Sequence, residues 1–252
     1  MQQRSRTAVR LLAVAGACAC LGTVGMAQSG DQHPDFTGVW TSYSDPGAPG
    51  GRGGGPALSL NAAAQQKVAA YQALVAPTGD TPGGYCLGTG MPGSMLGSGG
   101  YPMEIHQRPE QLIIVYEAHN EIRRVYLGDR IVPMADRLPG RNGHSSGRWE
   151  GDTLVVETTH LVEQVDQRYA HGNQARIVER YRLEKGAAGQ TVLAAEMTLT
   201  DPEFLTAPFT TTKKWARVPN GHLLPYECAE EEWVKHLERL EERASAASPS
   251  RP

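Results

Sequence analysis

The chain has 252 residues, of which 20% are charged, and a formal net charge of -3. That balance provides no basic field to collect phosphates, so nucleic acid is not an expected partner. Its length, once the N-terminal segment is set aside, fits one all-β domain and does not call for a second.

Arg4, Arg6 and Arg10 precede an apolar run from Leu11 to Val24 that ends in Gly25-Met26-Ala27. This is the layout of a secretory signal peptide, with cleavage expected after Ala27. The run is short and diluted by Ala, Gly and Cys, too weak for a membrane span. A second reading makes Cys18 a lipid-modified N-terminus, but Ala15-Gly16-Ala17 before it lacks the leucine usual in lipoprotein signals. Cys18 and Cys20 fall inside this segment, so export leaves Cys86 and Cys228 in an oxidising compartment. There they are expected to pair as a disulfide, contributing about 5 kcal/mol in the chain-entropy model. Neither lies in a metal-ligand spacing, which disfavours metal ligation by free thiols.

Pro34 to Trp40 reads as a first strand with aromatic and β-branched residues. Residues 46–56 are rich in Gly and Pro and lack the Gly-Lys-Ser/Thr ending of a phosphate loop, so they read as a flexible loop. Ser59 is a candidate N-cap for an Ala-rich helix from Leu60 to about Leu74, and residues 79–100, which hold Cys86, read as irregular. From Tyr101 onward, apolar and polar residues alternate between turn signals, predicting antiparallel strands. The expected spans are Met103–Gln107, Gln111–Glu117, Glu121–Leu127, Ser146–Glu150, Thr153–Thr158, Ile177–Glu184, Thr191–Leu199, Phe209–Val218 and His222–Tyr226. Ala229–Arg243 is charged and helix-compatible, and residues 244–252 read as a disordered tail. The expected fold is therefore mainly β: a single antiparallel, lipocalin-like β-barrel of about ten strands with one or two helices. It occupies residues 28–243, and closure removes its exposed edges.

Three places could carry chemistry. If the strands on either side of His119-Asn120 are joined by a two-residue turn, Glu117 lies opposite Ile122 and diagonal to Arg124. Both charges then share a face with Ile113, Val115 and Tyr126. A carboxylate and a guanidinium among apolar residues either point into a cavity or form a structural ion pair. Tyr116 and Arg123 fall on the opposite face, where a surface stacking contact is expected. His144, in a Gly-flanked loop ahead of Trp149, is either a general acid or base at a cavity mouth or a hydrogen-bonded structural histidine. Glu179 alternates with Ile177, Tyr181 and Leu183, so it either titrates abnormally or pairs, with Arg124 as the expected partner.

The eight histidines show no i, i+2 or i, i+4 spacing and no H-E-x-x-H, and there is no G-x-S-x-G elbow. No metal, cofactor or serine nucleophile is expected.

Taken together, several motifs are recognisable: Pro34-Asp35-Phe36-Thr37-Gly38-Val39-Trp40, Gly143-His144-Ser145, Gly147-Arg148-Trp149-Glu150-Gly151-Asp152-Thr153-Leu154-Val155-Val156 and Leu224-Pro225-Tyr226-Glu227-Cys228. Over nearly all of the chain past its signal, the sequence resembles a large group of exported bacterial proteins. The resemblance implies a broadly lipocalin-like barrel and carries no one reaction with it. The chain departs from the group after Cys228 and in its longer Gly-rich insertions.

Two functional readings follow. In one, a barrel cavity is an active site for a small apolar or aromatic substrate, converted by lyase, isomerase or cyclase chemistry. Glu117 and His144 serve as acid and base, Arg124 stabilises an anion, and Tyr116, Tyr126, Trp149 and Glu179 hold the substrate. In the other, the same cavity carries a small hydrophobic ligand without converting it. Either places the protein in the periplasm or outside the cell with a small molecule as partner, and neither fixes an oligomeric state.

Overall fold

The computed structural model describes residues 33–47, 57–97 and 100–247. The segment 1–27 expected to be a signal, with Cys18, most of the Gly-rich stretch 46–56, and residues 248–252 lie outside the described residues.

Nine strands close into one barrel in chain order: β1 Gly38–Tyr43, β2 Met103–Arg108, β3 Gln111–Tyr116, β4 Glu121–Leu127, β5 His144–Glu150, β6 Thr153–Thr159, β7 Arg176–Lys185, β8 Thr191–Thr200 and β9 Phe209–Val218. β9 returns to pair with β1, so the sheet has no free edge. The all-antiparallel expectation needs one correction, because β4 and β5 run parallel, with Val125 opposite Ser145 and Leu127 opposite Gly147. A closed ring must contain an even number of antiparallel pairs, so nine strands require at least one parallel pair. The parallel pair in turn needs a long crossover, supplied by residues 128–143.

His222–Tyr226, expected as a tenth strand, is irregular. With β9 already bonded to β8 and β1, no ladder position remains for it.

Among the described residues three α-helices accompany the barrel: α1 Ala62–Val75, α2 Gly93–Leu96 and α3 Cys228–Ala247. Asn61, not Ser59, caps α1, its side chain accepting from the Ala64 N–H at 2.9 Å. Helix α3 runs through the first residues of the stretch expected to be disordered. Among the described residues no helix is long and apolar enough to cross a membrane. Cys86 and Cys228 are disulfide-bonded, with Cα atoms 5.5 Å apart, which ties the start of α3 to a 3-10 turn at Pro82–Tyr85.

The period-two alternation of the strands sends Met103, Ile105, Leu112, Ile114, Val125, Leu127, Leu154, Val156, Ile177, Leu193 and Met197 into one continuous core. Phe36 and Trp149 close the end where β2 stops, their rings 5.3 Å apart, with His33 stacked on Trp149 at 4.4 Å. Met91 and Met95, on and beside α2, are buried at the opposite mouth. The middle of the barrel, among Phe36, Ile105, Ile114, Val125 and Tyr181, leaves about 10 Å³ of free space, roughly the minimum for one water molecule. The barrel is thus filled by its own side chains.

Gly147 shows how tight this packing is, since a Cβ there would lie 2.7 Å from Leu127 Cδ2 and 3.0 Å from Val125 Cγ1. Gly147→Ala is expected to destabilise the fold by about 1–3 kcal/mol through overpacking, measurable as a lower urea midpoint at an unchanged slope.

Candidate functional site

The β3–β4 hairpin organises the site. Its register pairs Tyr116 with Glu121 and Val115 with Ile122, so the turn spans Glu117 to Asn120 and is longer than the expected two residues. His119 and Asn120 take left-handed backbone conformations at φ 61° and 51° to close it. Ile113, Val115, Ile122, Arg124 and Tyr126 do share one face, but it is the outer one, and Glu117 lies buried in the turn. The inward face carries Leu112, Ile114, Tyr116, Arg123, Val125 and Leu127. Tyr116 and Arg123 are thus buried in the barrel and do not form the expected surface pair.

Arg123 is 1% exposed and Glu179 is fully buried. They form a bidentate ion pair, with Arg123 Nη1 donating to Glu179 Oε1 at 2.9 Å and Nη2 to Oε2. Arg123 also donates to Ser145 Oγ at 3.0 Å and Thr158 Oγ1 at 2.8 Å, and the Tyr181 hydroxyl donates to Glu179 Oε1 at 2.8 Å. Glu179 therefore pairs with Arg123 and not with Arg124. Burial works against the charged form of Arg123, but the Glu179 carboxylate outweighs it and leaves the guanidinium more basic than usual. Burial pushes the Tyr116 hydroxyl up to about 12, with Arg123 opposing the rise. Burial, then the Glu179 charge, holds Tyr181 well above the usual phenol range.

The other expected site residues do not meet. Glu117 sits at the start of the turn, where its Oε2 accepts from the Leu224 N–H at 2.7 Å. Arg124 is exposed on the outer face of β4. His144 also faces outward, its ring stacked on Tyr126 at 5.1 Å, and Trp149 closes the far end of the barrel. Both ring nitrogens of His144 are buried without a hydrogen-bond partner. Burial, then the charges of Arg137 and His160, hold its pKa below the ordinary value of 6.5.

Burial likewise lowers the pKa of fully buried His171, against the pull of the Tyr169 carbonyl and Asp201. A histidine kept neutral in the fold contributes stability that is complete above the unfolded value near 6.5 and is lost as pH falls below it. The guanidinium midpoint is therefore expected to drop between pH 7 and 5, and His144→Gln to flatten that slope.

What the structure does bring together is a recess of about 160 Å³ at the mouth where β3 ends and β4 begins. It is lined by Thr89, Ser94, Gly97, Tyr101, Tyr116, Ala118, His119 and Glu121. Residues 89–97 reach it because Glu121 accepts from the Gly90 N–H at 3.0 Å and from Ser94 Oγ at 2.5 Å. Tyr226 backs the aromatic wall, 4.9 Å from the His119 ring and 5.6 Å from that of Tyr101. The same wall is fixed by Asn120 Nδ2 donating to the Tyr226 carbonyl at 2.9 Å and by the disulfide two residues further on. His119 Nδ1 is buried without a hydrogen-bond partner.

Tyr116 alone among the expected site residues lines the recess. Ser94, Tyr101, His119 and Glu121 were not legible as site residues, because nothing in their local pattern shows that residues 89–97 approach the hairpin. Among the described residues, no group of three or more His, Cys, Asp and Glu side chains is arranged to hold a metal ion. Comparisons with family models, with curated proteins and with solved structures return no match.

Proposed function

We propose that the protein is an exported β-barrel that binds a small molecule in the recess at the barrel mouth. One observation carries this reading: Tyr101, Tyr116, His119 and Glu121 converge on the recess while the barrel interior is filled. The recess is smaller than the roughly 300 Å³ at which drug-sized pockets begin and similar to a cavity of about 150 Å³ that holds benzene. It suits a molecule the size of one ring. Export is supported by the Arg-then-apolar N-terminus and by the disulfide.

A second reading, acid–base conversion of that molecule, is favoured by the uncommitted Nδ1 of His119, a residue that lines the same recess as Glu121 and Tyr116. The site of that chemistry is then the recess, with His119 in the role first assigned to His144.

The test is mass spectrometry of compounds released on denaturing the purified protein, for wild type beside Glu121→Gln and His119→Asn, all checked for folding by circular dichroism. Asn tolerates the left-handed backbone at position 119. Binding at the recess predicts a compound in wild type that is depleted in folded Glu121→Gln. If His119→Asn retains a chemically distinct precursor, the protein converts its ligand. Equal loading of all three with the same compound contradicts a site at the recess.

A further inference from the structure

Among the described residues, Glu121 is the one carboxylate that lines the recess. The Gly90 N–H and the Ser94 hydroxyl, both neutral, donate to it. Among the described residues it forms an ion pair with no Lys, Arg or His. The guanidinium groups of Arg123 and Arg141 are both committed elsewhere. Arg123 is paired with Glu179, and Arg141, which donates to the carbonyls of Gly88 and Thr89, is paired with Asp166 at 2.9 Å. The recess therefore holds a half-buried carboxylate without an ion-pair partner, lined also by Tyr101, Tyr116 and His119.

A partly desolvated carboxylate without a counter-charge is costly. Aromatic rings present a negative face that attracts cations but not anions. An anionic ligand would be repelled by Glu121, and a neutral one would leave its charge uncompensated. We propose that the recess takes a small organic ammonium ion, its charge on Glu121 and its carbon substituents against the three rings. This rests on the recess being the binding site and adds the chemical class of ligand. The same ammonium group occurs on free solutes and on lipid headgroups.

The test is isothermal titration of the full chain, exported and with its disulfide intact, using choline and its uncharged carbon isostere 3,3-dimethylbutan-1-ol. Choline is expected to bind at least tenfold more tightly than the isostere. Glu121→Gln, whose amide oxygen retains an acceptor for Ser94 or Gly90, is expected to lose that preference, with the isostere unaffected. Tyr101→Leu, at a half-exposed position, is expected to weaken choline severalfold without unfolding the protein.

Equal affinity for choline and the isostere, with both weakened by Tyr101→Leu, overturns the cation proposal and leaves the recess as the site. No binding of choline, with a co-purified compound still depleted by Glu121→Gln, overturns it in the same way. Choline binding that neither variant changes overturns both readings. Sedimentation with phosphatidylcholine vesicles, released by free choline, assigns the ammonium to a headgroup, and its absence beside choline binding assigns it to a free solute.

Discussion

Glu179→Gln is expected to lower stability by about 3–5 kcal/mol and the thermal midpoint by on the order of 10 °C for a domain of this size. The pair with Arg123 is buried, and each of the three guanidinium nitrogens donates to Glu179, Ser145 or Thr158. Gln can accept through one oxygen only, and its amide NH₂ would then face a guanidinium NH₂. The positive charge of Arg123 would be left in the core without its partner, which is where most of the loss arises. Replacing both residues together, Arg123→Met with Glu179→Leu, is expected to recover at least half of the loss. Removing both charges also removes both desolvation costs, and Ser145 and Thr158 keep their mutual hydrogen bond at 2.8 Å. Thermal denaturation of the single and double variants measures this. A single variant within 1 kcal/mol of wild type would contradict a fully desolvated pair.

The second large effect is at the disulfide. Its partners are 142 residues apart in sequence, and a loop of that length restricts the unfolded chain by about 5 kcal/mol in the entropy model. Cys86→Ala with Cys228→Ala is expected to lose several kcal/mol, read as a lower guanidinium midpoint. It should also loosen the recess, because the bridge fixes the Tyr226 and His119 wall through Asn120. Loss of ligand at a temperature where circular dichroism still reports a folded barrel separates the two consequences. Unchanged stability on reduction would mean that the bridge constrains little of the unfolded chain.

The strands were legible because alternation and turn signals are local. Eight of them were expected to within two residues of their observed bounds, Glu121–Leu127 and Phe209–Val218 without change. The direction of the hairpin was not legible, for a definite reason. Each face of β3 and β4 carries apolar residues and one arginine, Arg123 on one and Arg124 on the other. A turn two residues longer than assumed slides the pairing but leaves each set of side chains on its own face, so register could not decide which face is inside.

That decision came from Ser145, Thr158 and Glu179, whose oxygens all accept from Arg123 once the barrel closes. The parallel β4–β5 pair was hidden in the same way, since strand direction follows from the path of residues 128–143 and not from composition. The disulfide was legible because only Cys86 and Cys228 lie outside the N-terminal apolar segment, which leaves one pairing. The recess was not, because residues 89–97 belong to a stretch whose glycines and prolines read as irregular, and only their tertiary position gives Ser94 a role.

The most direct test of the recess as the binding site is to follow backbone amide shifts during titration with choline and, in parallel, with its uncharged isostere. Binding there predicts saturating shifts at Gly90, Ser94, Tyr101, Tyr116, His119 and Glu121, with Arg124, Tyr126, His144 and Trp149 unmoved. Saturating shifts at Tyr126 and His144, with the recess residues silent, would contradict it and place the site on the outer face of the barrel.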